Sequence, residues 1–300
     1  MPIRFNAYPP DRPAVVRILD ENKPYRIGRA AECELRIDHP SVSRFHAELS
    51  DTTGADAEWR LHDTGSKNGL RVNGHATLSM NFSTSGWFAV GDVYCWLEFI
   101  DAGAATNFRA QTQRRREGSR EMSMRISSHL DIGELISQTL DVVIELSGLE
   151  RGFVLFAPAS EPLRVRANRG LAPSDLAKAS FSGSAAAVDQ ALNKHEAVVC
   201  CDTNDSPWLG LRPSVRLGGI RAVLCVPLQI AEGGRGAIYV DSRKPGPPVT
   251  ELDLELIESV AQHASAAIAA GLLHGQVRDL LQSAADLDEV APRWDELHPL

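Results

Sequence analysis

Residues 28–74 read GRAAECELRIDHPSVSRFHAELSDTTGADAEWRLHDTGSKNGLRVNG, and three short groups in this stretch stand out by their chemistry. They are Gly28-Arg29, Ser43-Arg44-Phe45-His46 and Asp63-Thr64-Gly65-Ser66-Lys67-Asn68-Gly69. Arginine presents a planar, permanently charged fork of donors, which suits a phosphate. Serine adds a short hydroxyl donor, and asparagine can both donate to and accept from a peptide backbone. The stretch therefore holds the residue types of an anion site at three separate points.

Short apolar segments separated by turn residues surround these groups and predict an all-β sandwich that ends near residue 100. The predicted strands are Val15–Leu19, Glu34–Ile37, Ala47–Leu49, Trp59–His62, Leu70–Val72, Phe88–Val93 and Cys95–Phe99. Loops at one end of a sandwich commonly carry its binding site. We expect the three groups to meet at such an end.

The order and spacing of the three groups resemble the forkhead-associated (FHA) domain, a family that binds phosphothreonine peptides. The resemblance implies that the phosphate ligands are Arg29, Ser43, Arg44 and Lys67. It implies that Asn68 holds the peptide main chain. It also implies structural support of the site by Gly28, His46, Asp63, Ser66 and Gly69. Leu70 departs from the family, which commonly has threonine at that position.

The rest of the chain alternates helices and strands. Apolar residues from about Thr106 to Glu145 recur at spacings of three and four, which predicts a connecting helix with Asp131 as a possible N-cap. Strands are predicted at Gly152–Phe156, Leu163–Ala167, Ala197–Cys201, Arg221–Ile230 and Gly236–Asp241, with a helix at Ser184–Asn193. A last helix is predicted from Thr250, where Thr-Glu-Leu-Asp is typical of a capping box, to about Leu281.

This second part resembles the GAF domain, a sensor and dimerisation fold with a central antiparallel sheet. Its fingerprints are Asn168-Arg169-Gly170-Leu171, Val223–Leu228 and Gly236–Asp241. The expected class is α+β overall, with an all-β sandwich joined by a helix to an α/β domain. The expected boundaries are 1–102 for the sandwich, 103–130 for a helical linker, 131–275 for the GAF-like domain and 276–300 for a helical end with an acidic tail.

Composition narrows the classes of partner. A net charge of −8 argues against general nucleic-acid binding, and no apolar run approaches the ~18 residues that span a membrane. Five scattered cysteines without a CxxC pair favour reduced thiols in a cytoplasmic protein, with neither a disulfide framework nor a metal site. No cofactor is expected. Cyclic-nucleotide and bilin signatures are absent from the GAF-like part, so a ligand-free scaffold and an unidentified small-molecule sensor both remain open.

Phosphate loops, zinc-protease helices, nucleophile elbows and kinase signatures are also absent, so no catalytic residue is expected. The sequence predicts a bacterial signalling adaptor that binds a phosphothreonine-containing protein. A Ser/Thr kinase is expected to phosphorylate that partner. It is expected to form a homodimer through the helices that flank the GAF-like domain. Three alternatives remain. The chain could be the sensory half of a longer protein, either a transcription regulator of the sigma-54 activator type or a cyclase. It could be an enzyme with an unfamiliar site, or its two domains could bind each other through phosphorylated Thr106 or Thr112 in an autoinhibitory clasp.

Overall fold

The computed structural model describes residues 1–52, 58–126, 131–159, 161–171, 182–244 and 247–290. They form an N-terminal β-sandwich and a C-terminal domain whose single sheet has helices on both faces. Two successive helices connect the sandwich to the C-terminal sheet. The expected α+β class is therefore confirmed.

Two sheets build the N-terminal sandwich. The first contains β1 (Ile3–Tyr8), β2 (Val15–Leu19), β7 (Leu70–Val72), β8 (His75–Thr77), β10 (Gly86–Val90) and β11 (Val93–Phe99) in the order β2-β1-β11-β10-β7-β8. The second contains β3 (Tyr25–Gly28), β4 (Leu35–Arg36), β5 (Ala47–Thr52), β6 (Glu58–Asp63) and β9 (Ser79–Phe82) in the order β4-β3-β5-β6-β9. Only the short β3–β4 pair is parallel. Alternate residues from both sheets fill the space between them, among them Phe5, Ile27, Leu49, Trp59, Leu61 and Leu97.

One predicted strand of the sandwich is wrong in its extent. The sequence predicts a strand over Phe88–Val93, but the chain turns at Gly91, where φ is 59°, and Val93 begins β11. A Cβ at position 91 would lie 2.5 Å from the Ser41 carbonyl oxygen, so only glycine fits this turn. The strand β1 was not predicted, although apolar Ile3, Phe5 and Ala7 alternate with polar Arg4 and Asn6.

Two helices, rather than one, connect the sandwich to the second sheet. Helix α1 spans Ala102–Ile126 and helix α2 spans Ile132–Ser147. Asp131 is the N-cap of α2, as predicted, and its carboxylate accepts a hydrogen bond from the Gly133 N–H at 3.2 Å. The last four residues of the predicted linker, 127–130, lie outside the described residues.

The C-terminal sheet contains β12 (Arg151–Ala157), β13 (Arg164–Arg169), β14 (Val198–Cys200), β15 (Ala222–Gln229) and β16 (Arg235–Ser242) in the order β13-β12-β16-β15-β14. Every neighbouring pair is antiparallel. Helix α2 and helix α6 (Glu251–Val290) cover one face, and α3 (Ser182–Lys194), α4 (Pro207–Gly210) and α5 (Pro213–Gly218) cover the other. The apolar fingerprints Val223–Leu228 and Gly236–Asp241 lie in the central strands β15 and β16 and contribute to the core of this domain.

Helix α6 begins with the predicted capping box. The Asp253 N–H donates to the Thr250 hydroxyl at 3.2 Å, and the Asp253 carboxylate accepts from the Thr250 N–H at 2.8 Å. The helix continues to Val290, beyond the end predicted near Leu281. Residues 291–300 of the predicted acidic tail lie outside the described residues.

One stretch of α6, Glu251–Gly275, is longer and more apolar than any apolar run expected from the sequence. Within the described helices, Glu251–Gly275 alone reaches the length and the mean hydropathy, 1.3, of a membrane-spanning helix. Many small residues raise its hydropathy without forming a run of large apolar side chains. Its residues Ile257, Val260, Ala264 and Ile268 are buried, and 39% of the window is buried in all. It packs as a core helix on the sheet of the C-terminal domain.

Backbone hydrogen bonds join the two domains directly. The Ala14 N–H donates to the Val249 carbonyl at 2.8 Å, and the Ala14 carbonyl accepts from the Glu251 N–H at 3.0 Å. Helix α1 adds an ion pair, in which Arg115 lies 2.5 Å from the carboxylate of Asp253. The chain just before β2 is therefore attached to the start of α6, and this contact sets the loops of the sandwich beside the C-terminal domain.

Candidate functional site

The structure brings the three polar groups of the sequence together at one end of the sandwich. The Arg29 N–H donates to the Ser43 carbonyl at 2.9 Å, which joins the loop after β3 to the loop before β5. The Lys67 N–H donates to the Ser43 hydroxyl at 3.0 Å, which joins the loop after β6 to the same residue. Ser43 therefore lies at the centre of the three loops, and its own hydroxyl hydrogen remains available for an anion.

His46 fixes the spacing of two of these loops from inside the fold. Its side chain is fully buried, and Nδ1 accepts a hydrogen bond from the Ser43 N–H at 3.1 Å. Because Nδ1 is an acceptor, the ring proton is on Nε2, which donates to the Gly69 carbonyl at 3.0 Å. The imidazole is therefore a brace between the Ser43 loop and the Gly69 turn.

Asp63 and Ser66 close the third loop into a tight turn. The Asp63 carboxylate accepts from the Gly65 N–H at 2.8 Å, from the Ser66 N–H at 2.7 Å and from the Ser66 hydroxyl at 2.7 Å. Burial raises the pKa of Asp63, but these hydrogen bonds outweigh burial and lower the pKa below its usual value. The Ser66 hydroxyl also accepts from the Gly69 N–H at 2.9 Å, and Gly69 itself has a φ of 71°. The turn is thereby held in the shape that presents Lys67 and Asn68 to solvent.

Three cationic side chains at this end of the sandwich are exposed and unpaired. Arg29, Arg44 and Lys67 form no ion pair with any carboxylate of the described residues. The Arg29 Nε makes a long contact of 3.4 Å with the Val42 carbonyl, and neither terminal amino group of the guanidinium is hydrogen-bonded to a described residue. Most other arginines of the sandwich are paired, for example Arg4 with Glu98 and Arg26 with Glu34. Cations without a paired carboxylate, in the same loops as the remaining donors of the Ser43 hydroxyl and the Asn68 amide, are suited to bind a dianion.

Asn68 is oriented by Ser41, which is not among the site residues predicted from the sequence. Its Nδ2 donates to the Ser41 carbonyl at 2.7 Å, which leaves one N–H and the amide oxygen for another backbone. The Ser41 hydroxyl in turn accepts from the Asp92 N–H at 2.8 Å, so the β10–β11 turn also supports the site. Ser41 carries no signal in the sequence of the kind that marks Ser43. Glycine and aspartate both favour turns, so Gly91-Asp92 was the sequence signal from which the supporting β10–β11 turn could have been predicted.

Gly28 and Leu70 show how closely the strands approach below the loops. A Cβ at position 28 would lie 2.2 Å from the Arg44 carbonyl oxygen, so a side chain there would push the Arg44 loop away. Leu70 is fully buried in the sandwich core and pairs with Val90 across β7 and β10. The residue that replaces the family's threonine is thus part of the apolar core, while the loop hydrogen bonds come from Asp63 and Ser66.

Two adjacent cysteines lie in the C-terminal domain. Cys200 is the last residue of β14, and Cys201 follows it in the loop. Burial raises the pKa of Cys200 to about 12 and raises the pKa of Cys201 as well, which disfavours the reactive thiolate. All five cysteines are free thiols. Among the described residues, no group of three histidine, cysteine or acidic side chains is placed to hold a metal ion.

Two separate parts of this chain are similar to known domain families. The FHA domain family model matches residues 25–84, and the GAF domain family model matches residues 129–269. The FHA domain of the CT664 protein from Chlamydia trachomatis is 26% identical, covers 33% of this chain and 99% of its own, and has a TM-score of 0.28. The FhaA FHA domain, solved in complex with the intracellular domain of Rv3910, is 21% identical, with coverages of 32% and 99% and a TM-score of 0.28.

The GAF domain of a phosphoenolpyruvate-protein phosphotransferase from Coxiella burnetii is 13% identical, covers 55% of this chain and 98% of its own, and has a TM-score of 0.43. No protein of curated function matches the chain. Residues 25–84 hold all the predicted phosphate ligands, and residues 129–269 hold the whole C-terminal sheet. The chain therefore carries an FHA domain followed by a GAF domain, the composition of a phosphoprotein-binding signalling regulator with a sensor module.

Proposed function

We propose that this chain is a cytoplasmic adaptor that binds a phosphothreonine-containing protein and has no catalytic activity of its own. In this role Arg29, Ser43, Arg44 and Lys67 bind the phosphate, and Asn68 binds the main chain of the partner. The observation that carries the proposal is the convergence on Ser43, whose carbonyl accepts from the Arg29 N–H and whose hydroxyl accepts from the Lys67 N–H. These hydrogen bonds join three distant parts of the chain at Ser43, and the side chains of Arg29, Arg44 and Lys67 in these parts pair with no described carboxylate.

The energetics favour a contact that a Ser/Thr kinase can switch on. A phosphothreonine carries about −1.5 to −2 charges, and each charge-assisted hydrogen bond contributes roughly 1.5–3 kcal/mol. Two or three such bonds, less the cost of ordering a flexible peptide, give an affinity on the micromolar scale, about −8 kcal/mol. Most of that free energy is lost when the phosphate is absent. Binding therefore depends on phosphorylation of the partner.

Calorimetry with the full chain tests this proposal. The probe is a phosphothreonine peptide selected from a library by the native protein, compared with the same peptide unphosphorylated. Arg29→Ala and Ser43→Ala are each expected to weaken binding at least tenfold, because each removes a charge-assisted hydrogen bond. Arg60→Ala is the matched control, since Arg60 is also exposed but lies on β6, where it contacts Ser79 at 3.4 Å. Undiminished binding by the Arg29 and Ser43 variants would refute the site.

For the GAF domain we propose a role in homodimerisation through the later part of α6. Leu273 and Val277 are 53% and 46% exposed, and their spacing of four places them on one face of the helix. Both lie beyond Ile268, which is fully buried against the sheet. An exposed apolar stripe that continues a core helix is suited to pair with a second copy.

Light scattering on the purified full chain tests the dimer. The native protein is expected to have twice its chain mass at micromolar concentration, and Leu273→Glu is expected to be monomeric. His274→Glu is the control, because His274 is exposed at the neighbouring position and faces another side of α6. A native protein that stays monomeric, or a Leu273→Glu variant that stays dimeric, would contradict this arrangement.

A further inference from the structure

A cleft of about 250 Å³ lies between the FHA and GAF domains, beside the loop that carries Ser43. Both domains supply charged and aromatic side chains to its walls. From the FHA domain these are Asp11, Arg12, Asp38 and His39, and from the GAF domain they are Lys194, Glu196 and Trp208. The cleft therefore forms only where the two domains contact each other.

The cleft lies close to the candidate phosphate site. Pro40 lines the cleft and precedes Ser43 by three residues, so their Cα atoms are at most about 11 Å apart. Two hydrogen bonds also connect the two places: the Asn68 amide donates to the Ser41 carbonyl at 2.7 Å, and the Ser41 hydroxyl lies 2.8 Å from Nδ1 of His39. An extended peptide advances about 3.3 Å per residue. A residue within about four positions of a bound phosphothreonine can therefore reach the cleft.

The charges of the cleft favour a cation. The Oδ1 atom of Asp11 is buried and has no hydrogen-bond partner among the described residues. Arg12 lies 3.7 Å from Asp38 and balances it, while Glu196 is exposed and in no ion pair with a described residue. Lys194 is the one further cation and lies in the last turn of α3, where the helix end stabilises positive charge. The walls of the cleft thus hold three carboxylates, from Asp11, Asp38 and Glu196, against the two cations Arg12 and Lys194, and this excess of negative charge favours a ligand with an ammonium or guanidinium group.

The remaining walls suit the apolar stem of such a side chain. Half-buried Trp208 offers an indole, and Ala197 and Val198 add aliphatic surface. Lysine and arginine bury their methylene stems along apolar surface and keep the charged group at a polar end, and either cation is attracted to the face of an indole.

We propose that this interdomain cleft binds a lysine or arginine side chain of the phosphothreonine partner, located within about four residues of the phosphothreonine. This inference rests on the proposed function, because the phosphate must first place the peptide on the Ser43 loop. The GAF domain then helps to select the partner's sequence, through Glu196 and Trp208. The Asp11 carboxylate provides the matching negative charge from the FHA domain.

Calorimetry with the full chain and a positional set of peptides tests the inference. Each peptide has a central phosphothreonine in an alanine background, and a single lysine is placed in turn at each of the four positions on either side. One position is expected to raise the affinity about five- to tenfold over the all-alanine phosphopeptide, as expected for a partly buried ion pair. In Asp11→Asn and in Glu196→Gln the ratio between the lysine and alanine peptides is expected to fall below about twofold. In the control Glu32→Gln, which removes an exposed carboxylate outside the cleft, the full ratio is expected.

The outcomes separate the inference from the proposed function. Phosphate-dependent binding with no lysine effect above twofold at any position would overturn the cleft and leave the phosphothreonine site intact. A lysine effect that persists in both the Asp11 and Glu196 variants would place the selection on another surface. Failure of every phosphorylated peptide to bind better than its unphosphorylated form would remove both proposals. Thermal unfolding of each variant checks that a lost ratio does not reflect a lost fold.

Discussion

Replacing His46 with alanine should damage both the stability of the FHA domain and its binding site. The buried imidazole accepts from the Ser43 N–H at 3.1 Å and donates to the Gly69 carbonyl at 3.0 Å. In His46→Ala the Ser43 N–H loses its acceptor, at a cost of about 1–3 kcal/mol. The Gly69 carbonyl keeps one donor, the Gly91 N–H at 3.2 Å, so losing the second contact costs only about 1 kcal/mol. The two lost contacts sum to about 2–4 kcal/mol and the ring-sized cavity adds to them, so the expected loss of unfolding free energy is roughly 3–6 kcal/mol.

Urea denaturation of the full chain, followed by tryptophan fluorescence, measures this loss. His62→Ala is the matched control, because His62 lies on β6 of the same sandwich but is exposed, and its removal should change the unfolding free energy by less than about 0.5 kcal/mol. Phosphopeptide affinity should also fall in His46→Ala, by more than tenfold, since Ser43 is no longer positioned. Equal stability of the two histidine variants, or full phosphopeptide affinity in His46→Ala, would refute the assignment of His46 as the brace of the site.

Three further predictions concern backbone approach, a titrating carboxylate and a helix cap. Gly28→Ala should lower the unfolding free energy by about 1–3 kcal/mol in urea denaturation, because its Cβ would lie 2.2 Å from the Arg44 carbonyl oxygen. The control Gly118→Ala has open space around its Cβ in α1 and should leave the unfolding free energy unchanged or raise it. Asp63 has a folded-state pKa below its ordinary value, so its contribution to stability is complete above about pH 4 and is lost as the pH falls through the folded pKa. Asp63→Asn should therefore be less stable than the native chain at pH 7, and the gap should shrink in denaturation series below pH 4; a constant gap would contradict the assignment. Thr250→Ala should cost about 1 kcal/mol by thermal unfolding, because it removes the N-cap hydroxyl of α6, and a change below 0.3 kcal/mol would show that the capping box contributes little.

Local chemistry allowed much of the FHA domain to be predicted from sequence. Ser43, Asp63 and Gly69 belong to short motifs whose turn and capping roles follow from side-chain donors, acceptors and backbone freedom, and the structure brings these motifs together. Strands such as β2 were found because their apolar residues lie between turn residues. The strand β1 was missed although Ile3, Phe5 and Ala7 alternate with Arg4 and Asn6, so its sequence did carry the period of a half-buried strand.

The sequence by itself determined which residue types are available to hold a phosphate and in what order two domains follow each other. Only the tertiary structure decided that Ser41 orients Asn68, that Ala14 bonds to the start of α6, and that Asp11 and Glu196 share one cleft. These contacts join residues more than twenty positions apart, and Asp11 and Glu196 come from different domains. Motif spacing reports hydrogen bonds and turns within a few residues, whereas such long-range contacts depend on how sheets and helices pack, which no local pattern encodes.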